Sequence, residues 1–314
     1  MSTTISMIAN PAARSGRLGP DVVRLHAMAQ EVLGPIDLLL TEGTRHAEQL
    51  ARSLPAAVQT VIGVGGDGTL NEIAAGLCEA GRPIRFGIVP AGSGNDLARV
   101  LHLSSHPMDA FRTIRDGVPL HMDSGTVTWR DTHGEGTRRF VNACGIGLDA
   151  FAAWYAPRWK HLPFGVGYSV AVLVALARWI PVGATIRSTE GTVLHTGSLM
   201  FTTVGNAKDS GGGFRLNPRA LVADGLLDAC IARGMSRSRA LQMLPRARTG
   251  AHLEAPEVTY EQVKGLTIDV DRGIPIHADG EMCTLEGRDI RIAVDAGSVT
   301  VLVDADRMDR ILQA

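Results

Sequence analysis

A cluster of glycines between an apolar run and a helical pattern is the part of the sequence best suited to chemistry. Val61–Leu77 reads VIGVGGDGTLNEIAAGL, with Gly65, Gly66 and Gly68 following the β-branched run. Glycine tolerates positive φ and has no side chain, so backbone N–H groups can come close to an anion. The helix that begins near Thr69 would point the positive end of its dipole at the same place. The run therefore predicts a phosphate-binding turn.

Asp67 is unusual in such a turn, because a carboxylate next to a phosphate is repulsive unless a cation lies between them. Mg²⁺ would supply that cation, directly or through water. Alternatively, Asp67 shapes the turn through its own side chain, which is a common role of aspartate in turns. The sequence leaves both roles open.

A second glycine turn repeats this arrangement in Gly87–Arg99, GIVPAGSGNDLAR, where Gly92 and Gly94 follow an apolar run and a helical pattern begins with Asn95 and Asp96. Ser93 offers a hydroxyl to phosphate. Asp96 offers a second carboxylate for a metal or for an acceptor alcohol, or it caps the helix. The two turns predict one nucleotide site, since the carboxyl ends of parallel strands meet at one edge of a sheet.

A third loop follows the first predicted strand and contains Asn10, Pro11 and Gly16. It would lie at the same edge of the sheet. No GxxxxGK[ST] run occurs, and no Gly-x-Gly-x-x-Gly is followed by an acidic residue at the spacing of dinucleotide-binding folds. A P-loop and a classical dinucleotide site are therefore disfavoured.

The second half of the chain contains two acidic turns. Asp279 and Glu281 flank Gly280, and a carboxylate there could take the proton of an alcohol during phosphoryl transfer. Exposed acids of a hairpin turn are the commoner interpretation. Asp224 and Asp228 flank a second Asp-Gly turn, where carboxylate and carbonyl oxygens could hold Mg²⁺ or Ca²⁺. Turn formation is again the commoner role.

The elements that would position these residues change in type near residue 125. Up to about Ser124, short apolar runs alternate with helical patterns, which predicts an open parallel sheet covered on both faces. Beyond it, segments rich in Thr and Val predict mostly antiparallel strands. Helices are predicted near residues 18–33, 44–53, 70–80, 95–101, 107–116, 164–180 and 236–250.

Composition bounds the classes of protein to consider. The 314 residues, 45% hydrophobic and 20% charged, are enough for two domains with their own cores. A net charge of -1 gives no overall attraction for nucleic acid. The four cysteines form no CxxC pair and the amino terminus lacks the pattern of a signal peptide, so reduced thiols and a cytoplasmic location are expected.

Together these segments resemble the diacylglycerol kinase catalytic family, in particular bacterial soluble lipid kinases related to diacylglycerol, sphingosine and ceramide kinases. GGDGT alone also marks NAD kinases and phosphofructokinases, but the order and spacing of all the segments are specific. The segments are NPAARSG (10–16), TEGTRHAEQLA (41–51), GGDGTLNEIAAGL (65–77), PAGSGNDLAR (90–99), GIGLDA (145–150), GGGFRLNP (211–218), DGLLD (224–228) and HADGE (277–281).

The resemblance implies an α/β fold with a phosphofructokinase-like nucleotide-binding domain over residues 1–125, to which residues 296–314 return. It implies a mostly antiparallel β-sandwich domain over residues 126–295. The implied activity is transfer of the γ-phosphate of ATP to the hydroxyl of a lipid, diacylglycerol or a related alcohol. A kinase that resembles NAD kinase and a non-catalytic nucleotide or lipid sensor are the alternatives.

The resemblance also assigns roles to residues. Glu281 matches the proton acceptor with Asp279 as a competing candidate, and Asp67 and Asp96 would organise Mg²⁺ and ATP, largely through water. Many relatives have Thr where this chain has Ser93, which keeps the hydroxyl. The implied Mg²⁺ site consists of Leu221, Asp224 and Leu226. The loops and the resemblance together give the predicted ATP-binding set of Asn10, Pro11, Thr41, Gly65, Gly66, Asp67, Gly68, Thr69, Leu70, Asn71, Gly92, Ser93 and Asn95.

A lipid acceptor implies peripheral contact with a membrane, which the net charge of -1 does not assist. The uncharged stretch Leu162–Ala177 is short for a membrane span and is more typical of a buried helix, or else of a membrane-docking surface. Aromatic residues near it are candidates for the wall of a lipid pocket or for membrane contact: Phe151, Trp154, Tyr155 and Trp159. The sequence leaves open which lipid is the acceptor and whether the chain forms a homo-oligomer.

Overall fold

A computed structural model describes residues 4–14, 16–159, 162, 166–208 and 213–313 of the chain. The chain divides into two compact units, unit 1 with residues 1–122 and 296–314, and unit 2 with residues 123–295. Parts of three predicted segments lie outside the described residues, namely Ser15 of the first loop, residues 163–165 of the apolar stretch, and residues 211–212 of GGGFRLNP.

The described residues form strands and helices in both units. The strands are β1 Ile5–Ala9, β2 Asp37–Leu40, β3 Thr60–Gly65, β4 Arg85–Pro90, β5 Val118–Asp131, β6 Gly134–Phe140, β7 Ala143–Gly147, β8 Val182–Ser188, β9 Val193–Gly205, β10 Leu227–Arg233, β11 Val258–Val263, β12 Gly265–Val270, β13 Ile274–Ala278 and β14 Glu281–Val303. The α-helices are α1 Val22–Leu33, α2 His46–Arg52, α3 Asp67–Glu79, α4 Asp96–Val100, α5 Pro107–Asp116, α6 Leu148–Tyr155, α7 Val166–Arg178, α8 Arg237–Thr249 and α9 Met308–Gln313. Short 3₁₀ turns lie at Gly19–Asp21, Ala156–Trp159, Ala251–Glu254 and Ala305–Arg307.

The sheet of unit 1 has the strand order β2-β1-β3-β4, followed by the end of β14, and each of these neighbours is parallel. Every residue of β3 is buried, as expected of a parallel strand covered on both faces. Ala9 is level with Leu40 and with Val64, and Gly65 is level with Pro90. The loops after these four strands therefore leave the sheet at one edge.

Helix α3, which follows the glycine turn, is fixed against α2. The carboxylate of Glu72 accepts the N–H groups of Arg45 at 2.9 Å and Ala47 at 3.2 Å, and so caps the amino terminus of α2. A Cβ atom at Gly76 would lie 2.3 Å from the carbonyl oxygen of Glu48, so only glycine permits this approach. The turn that precedes α3 is thus held by a rigid helix pair.

Unit 2 is rich in antiparallel strands, as the sequence predicted. One run of paired strands is β11-β10-β9-β7-β13-β14, and a second is β9-β8-β12-β14. β9 and β14 belong to both runs because different parts of each strand pair with different neighbours, so the sheet closes on itself. Its core contains buried side chains such as Ile146, Leu199 and Ile290. Whether unit 1 is phosphofructokinase-like stays a prediction.

The strand-like segment RRFVNACG (138–145) is broken between β6 and β7. The N–H groups of Val141, Asn142 and Ala143 are hydrogen-bonded by the carboxylate of Asp279, at 2.8, 2.9 and 3.0 Å. Because these donors point at a side chain, they are not available to a strand ladder. Helix α6 was also absent from the predicted elements, since its sequence LDAFAAWY is mostly apolar and shows little periodicity.

Among the described residues, no helix has both the length and the hydrophobicity needed to cross a bilayer. The part of the apolar stretch from Val166 onward lies in α7, which has 13 residues. One face of α7 is buried through residues that include Ala171, Val172 and Ala175. The prediction of a core helix is confirmed for that face.

Candidate functional site

The loops at the edge of the unit 1 sheet are joined by backbone hydrogen bonds. The N–H of Thr41 donates to the carbonyl of Ala9 at 3.0 Å, and that of Asn10 donates to Val64 at 3.0 Å. The N–H of Ala91 donates to the carbonyl of Gly65 at 2.7 Å. These bonds hold the ends of β1, β2, β3 and β4 together, and with them most of the predicted ATP-binding residues.

The two glycine turns touch through their backbones. A Cβ atom at Gly92 would lie 2.6 Å from the Cα atom of Gly66, and one at Gly66 would lie 3.2 Å from Gly92. Asn95 has the left-handed φ of 54° and its Oδ1 accepts the N–H of Gly92 at 2.8 Å, which closes the second turn. The absence of side chains thus leaves a cradle lined by backbone, as the glycine pattern requires.

Three polar side chains lie around this cradle, and two of them are hydrogen-bonded to each other. The side-chain amide of Asn10 donates to the hydroxyl of Thr69 at 2.9 Å. Asn71 is buried, and neither atom of its amide has a hydrogen-bond partner among the described residues. An amide in that state fits a polar ligand, because an unsatisfied buried polar group is costly. The side chain of Leu70, by contrast, is fully buried in the core.

The remaining predicted residues of unit 1 lie on the same loops. Oδ1 of Asp67 accepts the N–H of Leu97 at 3.4 Å, so Asp67 links the first turn to the start of α4. Asp96 forms an ion pair with Arg99 within α4. Ser93 is exposed. Carboxylates, hydroxyls and glycine backbone therefore meet at one place, which is the composition of a site for a phosphate and a cation.

In unit 2, Asp279 lies in the turn between β13 and β14. Asp279 and Gly280 have φ values of 51° and 81°, the left-handed pair of a tight hairpin. Burial raises the pKa of the Asp279 carboxyl, while the N–H donors of Val141, Ala143 and Asn142 oppose that rise. With three donors on its two oxygens, Asp279 ties this turn to the segment between β6 and β7.

Glu281 has different surroundings. Its Oε2 forms an ion pair with Arg138 of β6, and 34% of the Glu281 side chain is exposed. Arg138 was not among the residues predicted from sequence. The two residues are 143 positions apart, and no local pattern around Arg138 indicates the contact.

A buried polar network extends from the same turn. The N–H of Gly280 donates to Nδ1 of His277 at 3.1 Å, so Nε2 holds the ring proton and donates to Oδ2 of Asp149 at 3.2 Å. The hydroxyls of Thr203 and Tyr168 also donate to Asp149, at 3.0 and 3.1 Å. Burial alone would raise the pKa of Asp149, but His277 and these donors outweigh it and lower the pKa, which keeps the carboxylate charged.

Asp149 faces an apolar pocket within unit 2. The space of this pocket is about 790 Å³ when the solvent-filled region at its open mouth is included. Its wall is formed largely by aliphatic and aromatic side chains of α7 and α8 and of nearby strands, such as Val172, Leu176, Phe201, Phe214, Met243 and Leu244. An apolar pocket with one charged group fits a ligand that has a long apolar part and a polar end.

Asp149 was missed as a site residue at the sequence level, although GIGLDA was among the segments of the resemblance. The glycines of that segment provide a signal. A Cβ atom at Gly145 would lie 2.2 Å from both Oδ2 of Asp149 and Nε2 of His277. Glycine is therefore required at residue 145 for this acid and this imidazole to meet.

The predicted Mg²⁺ residues Leu221, Asp224 and Leu226 lie together in one turn of unit 2. Asp123 accepts the N–H of Gly225 at 2.7 Å, and Asp224 accepts that of Leu226 at 3.0 Å. Burial raises the pKa of Asp224, and the neighbouring Asp123 adds to that rise. A bound cation would offset the repulsion between the carboxylates of Asp123 and Asp224. The oxygen ligands of this turn therefore fit a hard cation such as Mg²⁺.

Within the described part of the chain, no three His, Cys, Asp or Glu side chains lie close enough to hold a metal. A cation in the turn at 221–226 would therefore need backbone carbonyl oxygens beside Asp224, which is the donor set predicted for it. The structure thus groups the predicted residues in three places: the edge of the unit 1 sheet, the turn at Asp279 and Glu281, and the turn at 221–226.

Two family models match the chain. Residues 4–127 match the model described as diacylglycerol kinase catalytic domain. Residues 142–303 match the model described as YegS C-terminal NAD kinase beta sandwich-like domain. The matches cover most of unit 1 and of unit 2.

Individual proteins agree with these matches. A Mycobacterium tuberculosis protein named diacylglycerol kinase is 31% identical over 233 residues, which are 74% of this chain and 73% of that protein. A Chromohalobacter salexigens protein named "Probable lipid kinase YegS-like" is 30% identical over 246 residues, 77% of this chain and 75% of that protein. The crystal structure of a diacylglycerol kinase from Bacillus anthracis str. Sterne superposes with a TM-score of 0.72 at 18% identity, over 96% of this chain and 97% of that one.

Proposed function

Because the chain belongs to the diacylglycerol kinase catalytic-domain family, we propose that it is an ATP-dependent lipid kinase that phosphorylates the hydroxyl of diacylglycerol or a related lipid alcohol. The membership confirms the resemblance drawn from the sequence segments. The apolar pocket of unit 2, with the charged Asp149 in its wall, is the observation that carries the lipid part of this proposal. The comparisons do not favour an NAD kinase-like activity.

The nucleotide would bind at the glycine cradle of unit 1. Backbone N–H groups near Gly66 and Gly92 are suited to phosphate oxygens, and the amino terminus of α3 adds the favourable end of a helix dipole. The unpartnered amide of Asn71 supports this location, since a nucleotide has donors and acceptors that would satisfy it. Asn10 and Thr69 would fix the position of the adjoining loop.

Mg²⁺ is expected at two places, near Asp67 and Asp96 with the nucleotide and at Leu221, Asp224 and Leu226. When bound, it supplies positive charge that neutralises phosphate oxygens or the clustered carboxylates. The carboxylate of Asp67 lies between the first glycine turn and the start of α4, with Oδ1 3.4 Å from the backbone nitrogen of Leu97.

We assign the proton acceptor to Glu281. In the reaction, the lipid hydroxyl oxygen bonds to the γ-phosphorus, the bond from that phosphorus to the β,γ-bridging oxygen breaks, and ADP leaves. The hydroxyl proton passes to the carboxylate of Glu281. Asp279 is less suited to this role, because three backbone N–H groups already occupy its oxygens. Glu281 is partly exposed and forms an ion pair with Arg138.

The acceptor lipid would place its apolar chains in the pocket and its polar end toward Asp149. The hydrogen bonds from Asp149 through His277 to Gly280 join this part of the pocket to the turn that contains Glu281. The polar end of the lipid and the proton acceptor would thereby be positioned by one continuous network. A lipid without a long apolar chain should bind poorly, since it would leave the pocket unfilled.

The proposal is tested by incubating the purified chain with Mg²⁺, ATP and each of four acceptors: diacylglycerol, a sphingoid base, ceramide and phosphatidylglycerol. We expect a product heavier by one phosphoryl group with at least one acceptor, identified by mass spectrometry. NAD in a fifth reaction tests the alternative activity. NADP formation, or the absence of a phosphorylated lipid from every acceptor and from a total lipid extract, would contradict the proposal.

A further inference from the structure

The outer face of α7 is apolar along its whole length. Val166, Val170, Leu173 and Ala177 follow one another at spacings of four, three and four residues, and so lie on one side of the helix. Val170 is half-buried and the other three are exposed, with Val166 49% and Leu173 46% exposed. Ile180, just beyond the helix, is 63% exposed. The inner face of α7 is buried, so this helix is apolar on both sides.

Helix α8 adjoins α7 and adds positive charge. The two helices contact each other, and Arg248 of α8 donates to the hydroxyl of Ser169 of α7 at 2.8 Å. Together the helices contain five arginines and no aspartate or glutamate. Exposed Arg237 and Arg246 of α8 form no ion pair among the described residues, whereas Arg239 is paired with Glu257.

We infer that these two helices form a docking face for an anionic phospholipid bilayer, made of Val166, Val170, Leu173, Ala177, Ile180 and Leu241 with Arg237 and Arg246. A helix in the plane of a membrane interface buries its apolar side among acyl chains while nearby arginines meet anionic headgroups. The chain as a whole has a net charge of -1, so the attraction must be local. The 13 residues of α7 are too few to span a bilayer and suffice to lie along its surface.

The opposite sides of the same two helices line the apolar pocket, through Val172 and Leu176 of α7 and Met243 and Leu244 of α8. If the chain is a lipid kinase as proposed above, an acceptor could pass from the bilayer into the pocket along these helices without crossing water. This continuity favours a membrane over a protein as the partner, because a protein seated on α7 would not deliver a lipid.

The docking face is tested by sedimentation of the full chain with phosphatidylcholine vesicles and with vesicles that also contain phosphatidylglycerol. We expect binding to the anionic vesicles that weakens as salt is added. Leu173→Asp should reduce the partition coefficient about tenfold or more, because a charge replaces an inserted apolar group. Replacing Arg237 and Arg246 by Ala should reduce it roughly fivefold for each arginine.

Helix α1 provides matched controls, Val23→Asp and Arg24→Ala, which remove an apolar and a cationic side chain that are exposed in unit 1. Both should bind vesicles like the wild type. Thermal unfolding of every variant shows that the differences do not come from misfolding. Equal binding of Leu173→Asp, the double arginine variant and the wild type would overturn the inference, as would the absence of any vesicle binding by the wild type.

Two further readouts separate this inference from the proposed function. The first uses a short-chain acceptor dispersed in solution. The Leu173→Asp variant should phosphorylate this acceptor at the same rate as the wild type, since Leu173 lies outside the pocket. Vesicle binding that depends on the docking face would support the inference even if no acceptor were phosphorylated. Self-association of the wild type that Leu173→Asp abolishes, without a change in vesicle binding, would assign the face to a contact between two copies and overturn the inference.

Discussion

Asp279 and Glu281 are two residues apart but have opposite surroundings. The oxygens of Asp279 accept three backbone N–H groups, whereas Glu281 is partly exposed and paired with Arg138. A carboxylate that satisfies three backbone donors stabilises the fold, because each donor left unpaired would cost about 1–3 kcal/mol. The two acids should therefore respond differently to loss of charge.

We expect Glu281→Gln to lower kcat by about 10² to 10⁴-fold with little change in melting temperature, because the variant loses the proton acceptor and keeps the size of the side chain. Asp279→Asn should chiefly lower the melting temperature, since the amide can no longer accept all three N–H groups. Steady-state kinetics and thermal unfolding, measured on both variants, compare the two roles. If the Glu281→Gln variant is active and the Asp279→Asn variant is stable but inactive, the proton acceptor is Asp279 and not Glu281.

Asp67→Ala should lower kcat/KM at least about 100-fold while the protein stays folded, because the carboxylate would act on the cation and nucleotide. The hydrogen bond that its carboxylate accepts from the N–H of Leu97 is long at 3.4 Å and contributes little to stability. Activity is measured over a range of Mg²⁺ concentrations, with Asp21→Ala as a control at an exposed acid of unit 1. Wild-type activity of Asp67→Ala would remove Asp67 from the mechanism.

Some site residues could be predicted from the sequence. These residues either have partners nearby in the chain or lie in loops that follow neighbouring strands. Asn10, Asp67 and Asn95 are of this kind, because each follows an apolar strand-like run. Arg138 and Asp149 could not be found this way, since their partners Glu281 and His277 are 143 and 128 residues distant. Contacts between residues so distant in sequence depend on the order of the strands in unit 2. A short stretch of sequence does not reveal that order.

At the scale of elements, the glycine cradle depends on the contact between two turns. Gly92→Ala should lower kcat/KM about 100-fold, because its Cβ would lie 2.6 Å from the Cα of Gly66 and displace one backbone. Gly19→Ala is a suitable control, since its Cβ would meet nothing closer than an ordinary contact at 3.5 Å. Kinetics with ATP as the varied substrate provide the comparison. Equal loss in both variants would show that the cradle has no special role.

Seven of the described helices, all but α6 and α9, were predicted to within a few residues because their apolar residues recur with the helical period. The helix predicted over 107–116 is α5, and that over 236–250 is α8. The break between β6 and β7 was not predicted, because it results from hydrogen bonds to the distant carboxylate of Asp279. Helix α6 was not predicted for a different reason, since its mostly apolar sequence contains no contrast between faces.

At the scale of the whole molecule, unit 1 is built from both ends of the chain. Four apolar residues of its final segment, Val299, Val301, Leu302 and Val303, are at most 3% exposed. Burial of four such side chains contributes roughly 6–12 kcal/mol, which is comparable with the stability of an entire domain.

We therefore expect a chain that ends at Asp295 to have an unfolded unit 1, whereas a chain that ends at Val303 should fold with a lower melting temperature. Limited proteolysis followed by mass spectrometry measures this, since fragments from residues 1–122 should disappear first in the shorter chain. A protease-resistant unit 1 in the chain ending at Asp295 would show that the final segment contributes little.

The position of this segment also determines when unit 1 can form during synthesis. Residues 1–122 leave the ribosome before any of the 173 residues of unit 2, yet β4 obtains its outer neighbour only from Thr300 and Val301. At about 5–20 residues per second, the edge of β4 stays uncovered for roughly 10–35 s. An uncovered strand edge is a site of aggregation, so newly made chains should depend on chaperones during that interval.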